Sequence, residues 1–208
     1  MSSIIMSVQE NMAIVATDTL AVDSGSALLF TNKATYLPTL KTIIAGTGLG
    51  AFSSRWAEFA NSWLVADNVE SLTVHAPEIL KRMWVELDEE GLIRSNDSTT
   101  VYHIGFNDVG VIAAYALRSR SGFKPEPLAY GLMAKPECEI IQTGNVNDFV
   151  QMMHEQRRVQ EGIPENNRIY IGGEINAIVL QSDRVIHLKL GEFSDYRKQL
   201  QSLMMKNR

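Results

Sequence analysis

Residues 4–18 read IIMSVQENMAIVATD: an apolar run from Ile4 to Val8, a turn around Asn11, and a second apolar run from Met12 to Ala16. Two short apolar runs with a tight polar break between them predict a β-hairpin at the very start of the chain, with Asp18 just past its second strand. Downstream, Asp23–Gly25 marks another turn, Ala27–Phe30 a short strand, and Leu40–Ala45 a strand that runs into Gly46, Gly48 and Gly50. From Ala51 to Val65 apolar residues recur at helical spacing: Phe52, Trp56, Phe59, Ala60 and Trp63. Pro77 is suited to open a second helix, with Ile79, Leu80, Met83, Trp84 and Leu87 on its apolar stripe and Gly91 as its stop. Thr99–Gly105 and Val109–Leu117 predict a hairpin across Asn107-Asp108. The prolines of 123–132 make any strand there irregular or peripheral. Asn147 is placed to cap a helix reaching about Gln160, and 162–167 reads as a loop. Arg168–Leu180 and Arg184–Leu190 form a last hairpin around Ser182-Asp183, and Phe193–Met204 a terminal helix. Strands come in antiparallel runs and helices in groups, which predicts an α+β fold with helices packed outside sheets. Neither a repeat nor a linker interrupts residues 1–208, so one domain is expected.

Composition bounds the function. The 208 residues carry a net charge of -5, which argues against a nucleic-acid partner, because phosphate binding needs a basic face. No apolar run approaches the ~20 residues of a membrane helix, and the first residues lack the basic-then-apolar pattern of a signal peptide. The single cysteine, Cys138, allows no internal disulfide. A reducing cytoplasm fits, as would a disulfide-free secreted protein.

Other motifs lead nowhere. Gly46-x-Gly48-x-x-Ala51 with Asp67 matches a relaxed dinucleotide fingerprint, but no β-α-β unit continues it. His75, His103, His154 and His187 fall on different elements, so no metal is expected. Cys138 has no neighbouring base and reads as a small hydrophobe. The Met152-Met153 and Met204-Met205 pairs read as core or interface fillers, and Arg157-Arg158 as a solvated helix face.

Three segments carry a resemblance. They are AIVATDTLAVDSG (13–25), TNKATYLPTLKTIIAGTGLGAF (31–52) and YIGGEINAIVLQSDRVIHLKL (170–190), preceded by the Ser2-Ser3 pair. In this order and spacing the chain resembles the proteasome β-type subunits and their bacterial relatives. The resemblance implies an N-terminal-nucleophile hydrolase: a four-layer αββα sandwich, two antiparallel sheets between helix layers, cutting peptide amides without a cofactor. In that family the first mature residue is the nucleophile and its α-amine the general base, sixteen residues before the aspartate that ends the second strand. Counting back from Asp18 gives Ser2, exposed as the first residue when Met1 is removed. A hydroxyl needs a base to take its proton, and an α-amine with a pKa near 8 can do so. Ser3 is the neighbouring alternative, at the wrong spacing.

The resemblance further implies that Lys33 pairs with Asp18 and activates the nucleophile, although it stands fifteen residues on, one short of the family spacing. Gly46 would offer an exposed N–H to the oxyanion, Ile44 would form an apolar wall of the first specificity pocket, and Val22 would lie on the edge strand that pairs with the peptide. Partners would be copies of itself in a ring, a peptide or unfolded-protein substrate, and an ATPase unfoldase. Trp56, Phe59, Trp63, Met83 and Trp84 supply more large apolar side chains than one sheet face commonly needs, as contacts between rings would require.

Two departures stand out. Gly131-Leu132, in LAYGLMAKP (128–136), occupies the place expected for a family serine, and Arg168 and Ile171 stand where an aspartate and a serine belong. Asn166 or Asn167 would substitute only with a shifted loop. The two readings are therefore a peptidase and a non-catalytic relative that keeps the fold as an assembly or binding subunit.

Overall fold

The computed structural model describes residues 3–23, 26–50, 52–62, 66–141 and 145–206. The chain opens with strands β1 (Ile4–Val8) and β2 (Met12–Asp18), joined by a turn in which Gln9 N–H donates to the Met12 carbonyl. Four further strands follow: β3 (Leu20–Asp23), β4 (Ser26–Phe30), β5 (Ala34–Leu37) and β6 (Thr42–Thr47). Helices α1 (Phe52–Asn61) and α2 (Val69–Glu89) precede β7 (Thr100–Phe106) and β8 (Ile112–Arg118). Two short strands, β9 (Pro125–Pro127) and β10 (Gly131–Lys135), lead to α3 (Asn147–Glu161). The last hairpin is β11 (Glu174–Gln181) and β12 (Val185–Glu192), and α4 (Tyr196–Lys206) follows it.

Among the described residues these strands form three antiparallel sheets, so the fold is mixed α+β. One sheet runs β10-β1-β2-β11-β12, a second β5-β6-β7-β8-β9, and β3 pairs with β4 alone. The proline-bearing stretch supplies the short outer strand of each large sheet, where a missing N–H costs least.

Side-chain alternation sorts the sheets into three cores. Ile4, Met6 and Val15 of the first sheet pack with Ile43, Ile104 and Ala114 of the second in one buried cluster. The alternate residues Ile44, Val101 and Leu117 turn the other way and meet Phe52, Trp56, Leu72 and Leu80 of α1 and α2. On the first sheet, Ile5, Ala16 and Ala177 do the same with Phe149, Met152 and Met153 of α3.

Within the α1–α2 core, the Trp56 indole N–H donates to His103 Nε2 at 2.8 Å. An indole is a donor only, so the ring proton sits on Nδ1, 2.9 Å from Thr73 Oγ1. Complete burial pushes His103 down to about 3, so the ring is neutral and fully satisfied.

Several expected boundaries move. Pro77 lies inside α2 rather than at its start. The helix begins eight residues earlier because Asn68 caps it: its Oδ1 accepts from Glu70 N and Ser71 N, while Ser71 Oγ accepts from Asn68 N. That capping box and the buried stripe Val69, Leu72, Ala76 and Leu80 outweigh the hydrogen bond a proline forfeits. Asn147 is the first residue of α3, not its cap. Asn145 accepts from its N–H instead. The strand expected from Arg168 starts at Glu174, because Arg168 turns back to donate to the Ile163 and Glu161 carbonyls at the end of α3. The terminal helix starts at Tyr196. Arg157 is not simply solvated: it grips Asp195 with two hydrogen bonds of 2.7 and 2.9 Å and lies over the Phe193 ring.

Candidate active site

Asp18 ends β2 and is completely buried. Three donors converge on its carboxylate: Ser3 N at 3.0 Å and Lys33 Nζ at 2.6 Å on Oδ1, and Gly172 N at 3.2 Å on Oδ2. Lys33 is also buried, and its ammonium makes a second bond, 2.7 Å, to the Leu20 carbonyl. A buried ion pair is poor evidence for stability, since desolvation offsets much of its attraction.

The glycine pair builds the third donor. Gly173 has φ +82°, and a Cβ there would lie 2.3 Å from Thr19 Oγ1 and 2.8 Å from the Phe30 ring. Only glycine permits that approach. It lets the Gly172 carbonyl accept from Thr19 N and Leu20 N while its own N–H reaches Asp18.

Ser3 is completely buried, and its hydroxyl donates to Gln156 Oε1 of α3. Gln156 Nε2 in turn donates to the Pro136 carbonyl. Gln156 fixes the first described residue to the helix, and an amide offers Ser3 no base. Sequence reasoning passed over it, although a signal existed: Gln156 and Gln160 continue the buried stripe Phe149, Met152, Met153 at helical spacing.

The other expected site residues fall differently. Ser2 lies outside the described residues. Gly46 does not hold an exposed N–H: it donates to the Lys33 carbonyl at 3.2 Å. Its lack of a side chain serves packing, because a Cβ there would meet Ser53 of α1 at 2.3 Å. Ile44 is 1% exposed and packs within the α1–α2 core. Val22 lines a cleft of about 670 Å³, with Gly48, Leu49 and Gly50 on its border. Ile171 is buried among apolar residues, Arg168 serves the α3 terminus, and Asn166 and Asn167 sit exposed in a short 3₁₀ turn.

The strand register sets Gly131–Lys135 against β1. Leu132 pairs with Ser7, at the far end of β1, whereas Lys135 pairs with Ile4 at the end where Ser3 and Asp18 meet. Lys135-Pro136, not Gly131-Leu132, is therefore the part of this segment beside the chain start. Lys135 Nζ donates to Thr100 Oγ1 of the second sheet at 3.1 Å. Burial, and then the charges of Arg118 and Arg120, hold its ammonium below the usual lysine range.

Among the described residues no group of three or more His, Cys, Asp or Glu is arranged to hold a metal, and no helix is long and apolar enough to cross a membrane. Scanned against protein-family models the chain matches none, and a search of curated proteins finds no match either.

Proposed function

We propose that this protein is a proteasome-like N-terminal-nucleophile peptidase, with Ser2 as nucleophile once Met1 is removed. The observation that carries this reading is the buried Asp18–Lys33 pair, hydrogen-bonded through Asp18 to the backbone N–H of Ser3, the residue after the nucleophile. In the proposed reaction the Ser2 α-amine takes the hydroxyl proton, Oγ attacks the peptide carbonyl, and the amine returns the proton to the departing amide nitrogen. An ester to Ser2 remains, and water hydrolyses it with the same amine as base. Two of the three Lys33 donors are committed among the described residues to Asp18 and the Leu20 carbonyl; on this reading the third serves the nucleophile. The three cores described above are what the four-layer αββα sandwich of such enzymes would contain.

The reading extends to assembly in a ring. Of the five large side chains expected at such a contact, Phe59 is exposed, Trp56 is fully buried, Met83 and Trp84 are partly buried against the α1–α2 core, and Trp63 lies outside the described residues. The ring proposal therefore draws its support from Phe59, with the exposed Val74 and Val85 of α2 beside it. Light scattering should then report several times the 23.2 kDa monomer mass. An ATPase unfoldase feeding the ring, and the cytoplasm as its compartment, belong to the same proposal.

One observation favours the second reading, a non-catalytic assembly subunit: the Gly46 N–H is already engaged and would have to leave Lys33 to serve an oxyanion. Intact mass and peptide turnover separate the two. Protein from its native source should begin at Ser2 and cleave fluorogenic peptide amides, and Ser2→Ala should abolish cleavage. A retained Met1, or turnover that survives Ser2→Ala, sinks the peptidase reading.

A further inference from the structure

With the Gly46 N–H bonded to the Lys33 carbonyl, a peptidase built on this chain needs another donor where negative charge develops on a substrate carbonyl. The layer between the two large sheets holds a candidate at the end where the chain begins. Along most of its length that layer is apolar, with Ile4, Val15, Ala45, Tyr102 and Ala116 facing into it. Two residues further along β2, β6, β7 and β8, the same faces carry Thr17, Thr47, Thr100 and Arg118. Lys135 of β10 pairs with Ile4 and shares its face, and its Nζ crosses to Thr100 Oγ1 on the second sheet. Five strands thus close an apolar layer with polar side chains.

The two cations of this group differ. Arg118 is ion-paired with Glu126. Lys135 is partly buried and, among the described residues, uses one of its three N–H donors, on a neutral hydroxyl. Met1 and Ser2, the residues that precede Ser3, carry no carboxylate. Burial, and then the like charges of Arg118 and Arg120, disfavour the ammonium, so an anion arriving beside it would be attracted more strongly than in water. Thr47 sits directly across from Thr100, and its buried Oγ1 has no partner at hydrogen-bond distance among the described residues. The Tyr102 phenol is near enough to feel that hydroxyl, but only as the smallest of three influences, behind burial and Arg118. An unpaired buried hydroxyl beside an uncompensated cation fits an incoming oxygen.

The placement is firm. The Pro136 carbonyl accepts from Gln156 Nε2, and Gln156 Oε1 accepts from the Ser3 hydroxyl. One side chain therefore ties the residue after Lys135 to the residue after the nucleophile.

We infer, on the peptidase reading, that the Lys135 ammonium is the oxyanion donor of this protein, assisted by the Thr47 hydroxyl, in place of the Gly46 N–H. As Ser2 Oγ bonds to the scissile carbon, the carbonyl π pair moves onto the oxygen beside Lys135, and the hydroxyl proton passes to the α-amine. The pair then re-forms the carbonyl as the C–N bond breaks, and the bond pair and the proton leave on nitrogen. Lys135 keeps its own proton throughout.

The test uses the full chain beginning at Ser2 and the fluorogenic peptide amide that the parent cleaves fastest. Lys135→Met should lower kcat at least about 100-fold and leave KM within about twofold. Its thermal melt should be unchanged or raised, because a partly buried charge without a carboxylate partner is gone. In the parent, kcat should decline as pH rises through the lowered Lys135 range. Lys135→Arg should regain about tenfold of the lost rate and move that decline to higher pH, because a guanidinium keeps its proton. Thr47→Val should cost less, about tenfold in kcat. Parental kcat in Lys135→Met, or a raised KM with kcat intact, overturns the assignment of Lys135 and leaves the peptidase reading standing. A parent that cleaves no peptide amide overturns both.

Discussion

Two buried polar clusters in this protein solve the same problem in opposite ways. Between the second sheet and α1–α2, Trp56, His103 and Thr73 are neutral, and each ring nitrogen of His103 has one partner. Burial there removes a charge, as the depressed histidine shows. At the end of the first sheet, Asp18 and Lys33 form a buried ion pair ringed by backbone donors and acceptors. The first cluster costs little to bury and locks a helix to a sheet. The second is costly to bury, and a fold selected for stability alone would do as well with apolar residues of the same size. On the proposed peptidase reading, one cluster is architecture and the other belongs to the active site.

The largest effect should come from splitting the charged cluster. Lys33→Met alone strands Asp18 and should cost about 3–5 kcal/mol in denaturant unfolding. Asp18→Leu combined with Lys33→Met should recover most of that loss and still show no peptidase activity. A single variant as stable as the parent would mean the pair carries no buried charge. The neutral cluster is tested by pH. The folded His103 titrates near about 3, against 6.5 for an exposed histidine, so below 6.5 the unfolded chain takes up a proton the folded chain refuses. Stability should therefore fall by about 1.4 kcal/mol per pH unit as pH drops through that window, and be fully present above it. His103→Gln should remove this part of the slope; an unchanged slope would place the histidine outside the core.

Smaller effects separate the site's scaffold from its surroundings. Gly173→Ala meets both a positive φ and Thr19, and should cost about 1–3 kcal/mol. Gly50→Ala, with open space around it, should be close to neutral in thermal melts. Equal losses at the two glycines would contradict the tight approach at Gly173. Among the contact-removing variants the smallest change should come from Arg157→Ala. It removes the two-pronged Asp195 contact and the packing over Phe193 at a partly exposed position, for about 1 kcal/mol.

How much of this the sequence disclosed follows the range of the forces involved. The first and last hairpins and the α+β class were legible because alternation and turn residues act over a few positions. Asp18 and Lys33 were singled out by motif, and the structure brings their charges together. Pro77 misled because a capping box opening nine residues earlier and a buried stripe outweigh one lost hydrogen bond. Gln156 and Lys135 act across elements, through α3 onto Ser3 and through strand register onto Ile4, and no local pattern encodes such pairings.

The measurement that bears most directly on the central claim is acyl trapping at the chain start. Protein that begins at Ser2 would be mixed with an activated peptide ester, quenched in acid, and mapped by tandem mass spectrometry. The account predicts one acyl group on residue 2, absent from protein that retains Met1 and from the Asp18→Leu/Lys33→Met variant. An unmodified Ser2, or an acyl group carried by another residue, would contradict it.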